Sequence, residues 1–236
     1  MSIVAITGAS RGIGLEFLRQ LIASDEATKV IALVRNPDDA AQLQEEIKRH
    51  PGRVLAVKLD VTNEESVKSA AKEVEKLSPE GIDILINNAG AYLEPKGSSP
   101  INTSAKDILA SYATNTIGPF LTIQNFFPQL LKRQKRTVVN ITSAMGSIAW
   151  SKPNSIAYRS SKAALNSVVS ILAQELGPQG ATLVLFHPGW VQTDMGGSNA
   201  DLTVSTSVSS ILKVVHGLKH EDNGKFFNYD GTTIPW

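Results

Sequence analysis

The sequence contains no cysteine among its 236 residues. Disulfide bonds and thiolate catalysis are therefore excluded, and the absence of disulfides fits a reducing compartment without proving one. The sequence also has no excess of either charge, since its formal net charge is +1. Binding to nucleic acid or to a membrane surface usually depends on a basic excess. We therefore predict neither nucleic acid nor a membrane as a partner.

Long apolar runs are missing as well. No stretch approaches the ~20 apolar residues that a membrane-spanning helix needs. The N-terminus, MSIVAITGAS, lacks the charged start and the apolar run of a signal peptide. The expectation is a soluble, cytoplasmic protein. Histidine is scarce, and the four residues, His50, His187, His216 and His220, show no ligand pattern with carboxylates, so we predict no metal site. His187 is expected to have a structural role, and His216 and His220 to lie at a solvated helix end.

Short β-branched runs alternate with segments of helical length along the chain. The apolar runs predict strands at residues 2–7, 29–34, 53–59, 82–87, 137–142, 181–187 and 225–229. The intervening segments predict helices at 13–22, 63–78, 119–134 and 156–176. Since the early strands are continuously apolar, both of their faces are expected to be covered. This alternation predicts an α/β protein with a single-domain Rossmann fold, a doubly wound parallel sheet of about seven strands with helices on both faces.

A glycine-rich stretch, TGASRGIG at residues 7–14, follows the first strand and opens the first helix. Gly8, Gly12 and Gly14 permit backbone angles and close approaches that a Cβ would block. The free amides at the helix start then form an anion site that suits a pyrophosphate. The spacing differs from G-x-G-x-x-G, because Phe17 occupies the last position. The alternative is a tight strand–helix turn without a ligand.

The end of the second strand indicates which dinucleotide would bind. A carboxylate there would bind the ribose hydroxyls of NAD, but this strand ends with Val34 followed by Arg35. Arg11 lies in the glycine turn, and a guanidinium binds phosphate through a bidentate fork. These residues favour NADP(H) over NAD(H), although Arg35 is alternatively a solvated loop residue. Asp60 and Val61 follow the third strand, where an adenine would lie between a carboxylate and an apolar wall.

Tyr158 and Lys162 are four residues apart in a predicted helix, so they share one helix face. A nearby positive charge stabilises a phenolate and lowers the pKa of the phenol. Such a pair would serve as a proton donor. Ser143 ends the strand before this helix, where it either orients a substrate carbonyl or caps the next segment. Asn115 either holds a water that relays protons to Lys162 or satisfies backbone groups.

These residues stand in the order of a known family. TGASRGIG, NNAG at 87–90, Asn115, Ser143, Tyr158-x-x-x-Lys162 and HPGWVQTDM at 187–195 resemble the motifs of the short-chain dehydrogenases/reductases. The resemblance extends from Ile3 to about Tyr229. The compact length, HPGWVQTDMGG and the ending GKFFNYDGTTIPW are most similar to the C-factor or Sniffer-type carbonyl reductases.

The resemblance implies a role for each matching residue. Tyr158 would be the catalytic acid/base, and Lys162 would bind the nicotinamide ribose and lower the pKa of the tyrosine. Ser143 would hold the substrate carbonyl, and Asn115 would support a proton relay. NADP(H) would be the cofactor, with its phosphates held by Gly8, Ser10, Arg11, Gly12, Ile13 and Gly14, its ribose lined by Asn88, Ala89 and Gly90, and its carboxamide covered by Pro188, Gly189, Val191 and Thr193.

The expected protein is one NADP-binding domain, residues 1–236, with a substrate lid around 190–210. The stretch 192–207 is rich in Gly, Ser and Thr, which suggests mobility and an open pocket. Aldehydes, ketones and quinones would fit, and the sequence does not choose among these small-molecule substrates. The loop 91–104 is an insertion at the ligand-binding end of the sheet. Trp150 and Trp190 either border the substrate or belong to the core, where Trp236 is also expected.

Two other functions stay open. The fold would also suit an NADP(H) redox sensor that signals through a partner with little turnover, or an enzyme that oxidises alcohols with NAD. The helices at 104–134 and 156–176 pack subunits together in many relatives, which implies a homodimer or homotetramer.

Overall fold

The computed structural model describes residues 2–95, 97 and 99–236. Seven strands in these residues form one parallel sheet in the order β3-β2-β1-β4-β5-β6-β7. Their bounds are β1 Ile3–Thr7, β2 Lys29–Val34, β3 Val54–Lys58, β4 Ile84–Asn87, β5 Thr137–Ile141, β6 Thr182–His187 and β7 Phe226–Asn228. The predicted strands and the parallel sheet are confirmed, and only strand ends differ, by one or two residues.

Helices cover both faces of this sheet. They are α1 Gly12–Ser24, α2 Ala41–Arg49, α3 Glu64–Leu77, α4 Ala105–Tyr112, α5 Gly118–Leu130, α6 Ile156–Leu176 and α7 Val204–Gly217. Alternate residues of each strand enter opposite cores: Ile3 packs with α3, α5 and α6, whereas Val4 packs with α1, α2 and α7. The two cores explain why the strands are continuously apolar, since a parallel strand between helices has no face in water.

Three parts of the helical layer differ from the sequence predictions. The helix α2 was not predicted, because only Leu43 and Glu46 of this polar segment are buried. The predicted helix 119–134 ends at Leu130, where the chain turns back towards the sheet. The predicted lid at 192–207 overlaps α7, whose first turn is capped by the Thr203 side chain. The irregular part of that segment therefore ends at Thr203.

The sheet order places the site. The chain order reverses between β1 and β4, because β1 pairs with β2 on one side and with β4 on the other. In such sheets the loops after the strands leave a crevice at this point. The segments that follow Thr7, Asn87, Ile141 and His187 all leave this edge. The glycine turn, the NNAG segment, Ser143 and the HPGWVQTDM segment therefore lie at the carboxyl edge of the sheet.

Candidate active site

Tyr158 and Lys162 lie together in a buried position. Tyr158 belongs to the first turn of α6 and is 9% exposed, and Lys162, one turn later, is 3% exposed. The Lys162 Nζ lies 5.9 Å from the centre of the Tyr158 ring. It also donates a hydrogen bond to the Ile141 carbonyl oxygen, at 2.9 Å. Helix α6 and the end of β5 thus place the predicted pair on one face.

The pKa values of the pair correct one expectation. Burial raises the pKa of Tyr158 to about 12, with a further increase from Tyr92 and an opposing contribution from a hydrogen bond with Ser143. Burial also lowers the pKa of Lys162 to about 8. The expected lowering of the phenol pKa is therefore wrong for the chain by itself, because burial disfavours the charged form of each group. Tyr158 keeps its proton at neutral pH.

Ser143 caps the segment that follows β5, and its role towards a substrate carbonyl stays a prediction. It follows β5 and is nearly buried, at 6% exposure. Its Oγ accepts a hydrogen bond from the Met145 N–H at 3.1 Å, which caps the 3₁₀ turn Ala144–Gly146. The same hydroxyl lies close enough to Tyr158 to oppose the rise of the phenol pKa. The cap therefore fixes a hydroxyl beside the phenol.

Asn115 lies in a π-helical turn, Ala113–Ile117, between α4 and α5. Such turns inside α-helices are frequent at functional sites. Its Oδ1 accepts a hydrogen bond from the Ala91 N–H at 2.9 Å, while its Nδ2 donates to the Ala91 carbonyl at 2.8 Å and to the Ser161 Oγ at 3.1 Å. The side chain thus ties the segment after β4 to α6, and the proton relay stays a prediction.

The glycine turn has the form of an anion site. Gly8 has a positive φ of 68°, and a Cβ at Gly14 would overlap the Gly8 carbonyl oxygen. The helix α1 starts at Gly12 without a side-chain cap. Its first N–H groups therefore have no intrahelical partner and point out of the turn. These features, which a Cβ would disrupt, fit the pyrophosphate of a dinucleotide.

The segment after β4 supports this turn. The Asn88 Nδ2 donates to the carbonyl oxygens of Thr7 and Gly8, at 3.0 and 3.2 Å. The Thr7 Oγ1 accepts the N–H groups of Asn88 and Ala89, both at 3.0 Å. Gly90 lies beside Lys162, since a Cβ added there would be 3.4 Å from the Nζ. The predicted phosphate and ribose residues therefore form one continuous surface.

The end of β2 carries positive charge. Val34 is buried at 3% exposure, and Arg35 behind it is exposed. Burial alone would raise the pKa of Asp60, but hydrogen bonds from Thr62 and the charge of Arg35 lower it below its ordinary value. Val61 follows that carboxylate and is 8% exposed, and its role as an apolar wall for an adenine stays a prediction. The residues present fit the adenosine half of a dinucleotide that carries an additional phosphate.

The loop after β6 lies against the glycine turn. Its base is a bridge between Val191 and Leu202, reinforced by the hydrogen bond from Gln192 N–H to the Leu202 carbonyl at 2.9 Å. The Thr193 methyl group would contact a Cβ at Gly12, at 3.7 Å. Farther along, Asp194 forms an ion pair with Arg11 at 2.6 Å. Pro188 and Gly189 start this loop at the edge of the sheet.

The family model described as short chain dehydrogenase matches residues 2–202. The chain belongs to the short-chain dehydrogenase family. This membership confirms the family resemblance and makes the chain an oxidoreductase of that family.

Several relatives resemble this short-chain dehydrogenase closely. A crystal structure of an NADPH-bound carbonyl reductase from chicken fatty liver is 38% identical with a TM-score of 0.93, and all of each chain is covered. The carbonyl reductase Sniffer of D. melanogaster is 32% identical with a TM-score of 0.94, again over both whole chains. The C-signal protein of Myxococcus xanthus is 41% identical over 66% of this chain and 93% of its own. An uncharacterized oxidoreductase of Schizosaccharomyces pombe is 38% identical over 98% of this chain and 96% of its own.

The exposure of the three tryptophans answers whether they belong to the core. Trp150, Trp190 and Trp236 of the dehydrogenase are 49%, 51% and 49% exposed, so none of them is a core residue. Burial lowers the pKa of His187 to about 4, and its Nδ1 has no hydrogen-bond partner among the described residues. Across residues 2–95, 97 and 99–236, no group of three or more His, Asp or Glu side chains is placed to hold a metal ion.

Two other structural features delimit the site. None of the helices in the described part of the dehydrogenase combines the length and apolar character needed to span a bilayer.

A surface cleft of about 410 Å³ borders α6 at Ile156, Arg159 and Ala163, but Tyr158 does not line it. This cleft is therefore separate from the catalytic face.

The sequence analysis missed Tyr92 and Glu94, which contact the start of α6. The Tyr92 ring lies 5.3 Å from the Tyr158 ring, and Glu94 accepts hydrogen bonds from the backbone of α6. Both belong to the predicted insertion 91–104, of which Lys96 and Ser98 lie outside the described residues. Their positions depend on contacts with residues more than 60 positions away in the sequence, so no local sequence pattern indicates them.

Proposed function

We propose that the dehydrogenase is an NADPH-dependent carbonyl reductase that converts an aldehyde, a ketone or a quinone to an alcohol, with Tyr158 as the proton donor. The observation that carries this proposal is the buried phenol of Tyr158, which has the Ser143 hydroxyl and the Lys162 amine as neighbours. When bound, the reduced nicotinamide supplies the hydride. The chain itself supplies binding, orientation and the proton.

The cofactor residues are proposed from the cradle and the charges around it. The free N–H groups at the start of α1 would bind the pyrophosphate, and Arg11 and Arg35 would bind the additional phosphate. The chicken reductase is NADPH-bound, and a carbonyl reductase from Pseudomonas aeruginosa PAO1, 31% identical with a TM-score of 0.85, is in complex with NADP. These relatives support NADP(H) as the cofactor of this chain.

The catalytic residues have distinct tasks in this proposal. The Ser143 hydroxyl donates a hydrogen bond to the substrate carbonyl oxygen, and Tyr158 donates its proton to that oxygen as negative charge develops there. Because the pKa of Tyr158 is raised to about 12, the phenol is protonated at neutral pH, as reduction requires. Lys162, charged below about pH 8, stabilises the phenolate that remains. Burial of the pair keeps water from competing for the proton.

The loop that starts at Pro188 and ends at Thr203 is the proposed substrate lid. It is connected to the glycine turn through the ion pair between Arg11 and Asp194, which are 73% and 76% exposed. An exposed pair of this kind contributes little stability, so it adds little to the energy of opening the loop. A homodimer or homotetramer through the helices at 104–134 and 156–176 stays a prediction.

The test is a panel of aldehydes, ketones and quinones offered with NADPH and, separately, with NADH. The proposal predicts oxidation of NADPH by several members of the panel, and weaker binding of NADH. Binding of NADPH without oxidation across the panel would favour the redox sensor instead. Equal or better binding of NADH would favour the NAD-dependent oxidation of alcohols.

A further inference from the structure

The helix that carries Tyr158 lacks a cap of its own. Ser155 occupies the N-cap position of α6 with φ 54° and ψ 45°, a left-handed conformation, and its side chain makes no cap hydrogen bond to the helix. Its Oγ is instead hydrogen-bonded to the Tyr92 hydroxyl, at 2.9 Å. The first N–H groups of a helix have no intrahelical partners and need an acceptor from elsewhere. At α6 these groups include the N–H of Tyr158 itself.

Glu94 supplies that acceptor. Its side chain is buried, with the residue only 3% exposed, and both carboxylate oxygens are used. Oε1 accepts a hydrogen bond from the Tyr158 N–H at 2.9 Å, and Oε2 accepts one from the Ala157 N–H at 3.3 Å. A carboxylate at a helix N-terminus also interacts favourably with the helix dipole. A residue distant in sequence therefore caps the catalytic helix.

The segment that carries Glu94 is attached to α6 at several points. Ala91 is bound through its N–H and carbonyl to Asn115, whose Nδ2 also bonds Ser161 of α6. Tyr92 and Glu94 contact the start of α6, whereas Leu93 between them is 43% exposed. Glu94 precedes a proline, which disfavours a helical conformation and favours an extended one. The segment 91–94 thus reaches the N-terminus of α6 with the Glu94 carboxylate.

We propose that Glu94 is a positioning residue for the reduction: its carboxylate fixes the first turn of α6 and thereby holds the Tyr158 phenol beside Ser143 and Lys162. The proposal rests on the proposed function and adds to it a residue outside the family motifs.

The two catalytic side chains of α6 depend on this cap to different degrees. Tyr158 lies in the capped first turn, whereas Lys162 lies one turn later and is anchored by its hydrogen bond to the Ile141 carbonyl. Fraying of the first turn would therefore displace the proton donor and leave the lysine in place. The residue after Tyr158, Arg159, is held by contacts that do not involve Glu94, since its side chain donates to Asn154 and to the carbonyls of Met145 and Trp150. Loss of the cap should lower kcat much more than it raises the KM for NADPH.

The test compares Glu94→Gln and Glu94→Ala with wild type in NADPH-dependent carbonyl reduction. A misplacement of about 1 Å can cost about 10²-fold in rate, so we expect Glu94→Ala to lose about 10²-fold in kcat, with the KM for NADPH within about twofold of wild type. Glu94→Gln keeps one oxygen acceptor, so its kcat should lie between those of Glu94→Ala and wild type. If Glu94→Ala fails to fold, the test is whether the kcat of Glu94→Gln is lower than that of wild type.

Asp83 provides a matched control. It is also a buried carboxylate that accepts a backbone N–H, from Ile3 at 2.8 Å, but it lies just before β4, at the opposite edge of the sheet. Asp83→Asn and Asp83→Ala should lower thermal stability as much as the Glu94 variants or more, because Asp83 also pairs with Arg133. They should leave kcat unchanged. A kcat loss in the Glu94 variants no larger than in the Asp83 variants would overturn the proposal.

A readout without substrate separates this proposal from the proposed function. The ionisation of Tyr158 can be followed by ultraviolet absorbance, as the difference between each protein and its Tyr158→Phe version. Because burial raises the pKa of this phenol, loosening of the first turn in Glu94→Ala should return the pKa towards its ordinary value of 10.0. An unchanged titration would contradict the positioning role. If Glu94→Ala shifts the titration but wild type reduces none of the carbonyl compounds in the panel, the cap is supported and the proposed reductase function is refuted.

Discussion

Replacement of Lys162 by methionine should stabilise the folded dehydrogenase while it abolishes the proposed activity. Lys162 is 3% exposed, and burial lowers its pKa from 10.5 to about 8. One pKa unit corresponds to about 1.4 kcal/mol, so the buried charge costs about 3 kcal/mol of folding stability at neutral pH. Methionine has a similar length and carries no charge. It also loses the hydrogen bond to the Ile141 carbonyl, worth about 1 kcal/mol.

The net gain for Lys162→Met is therefore about 2 kcal/mol near pH 7, and its pH dependence identifies the cause. Between about pH 8 and 10.5 the unfolded chain binds the lysine proton and the folded chain does not, so wild-type stability rises with pH. The variant lacks this rise. Its advantage should fall by about 2 kcal/mol between about pH 7 and about pH 9.5, where the two proteins become nearly equal in stability.

Urea unfolding of both proteins at the two pH values measures these free energies. Lys72→Met on the exposed face of α3 is the matched control, because it removes a charge that water already solvates. It should show no comparable stabilisation at either pH. A Lys162→Met variant that is less stable than wild type near neutral pH, or an advantage that does not change with pH, would refute the argument from burial.

Three further predictions concern the phenol and the cofactor cradle. Burial raises the pKa of Tyr158 to about 12, so between pH 10 and 12 the unfolded chain has lost the phenol proton while the folded chain keeps it. The free energy of unfolding of wild type should therefore fall over this range. Urea unfolding of Tyr158→Phe should lack the contribution of this phenol to that fall. Gly14→Ala should abolish NADPH binding in fluorescence titrations, since the added Cβ would overlap the Gly8 carbonyl oxygen. Asp194→Ala should bind NADPH up to about fivefold more tightly, because it frees Arg11 from an exposed ion pair worth at most about 1 kcal/mol; weaker binding would contradict the role of Arg11.

The strands could be predicted because their signal is local. In a parallel sheet between two helical layers both faces of the central strands are covered, so residues 3–6 and 30–34 are buried and form uninterrupted apolar runs in the sequence. The long helix α6 was predicted with the bounds 156–176, as a segment of helical length between two strands. By contrast, α2 is short and mostly polar, and it is held by few buried side chains.

The components of the site could also be predicted, but their environment could not. The glycine turn and the spacing of Tyr158 and Lys162 are local features, and the family motifs add Ser143 and Asn115. The raised pKa of Tyr158 depends on burial, which only the packed structure defines. The cap by Glu94 depends on a contact 64 residues away along the chain. Long-range contacts of this kind leave no periodic pattern in the sequence.

The central claim is that Tyr158 donates the proton in an NADPH-dependent reduction. The most direct measurement is a single turnover of wild type, Tyr158→Phe and the control Tyr112→Phe, each loaded with NADPH and mixed with an active carbonyl compound from the panel. If Tyr158 is the proton donor, Tyr158→Phe should bind NADPH normally and lose about 10²–10⁴-fold in the single-turnover rate, while Tyr112→Phe should resemble wild type. An unchanged rate in Tyr158→Phe would contradict the account.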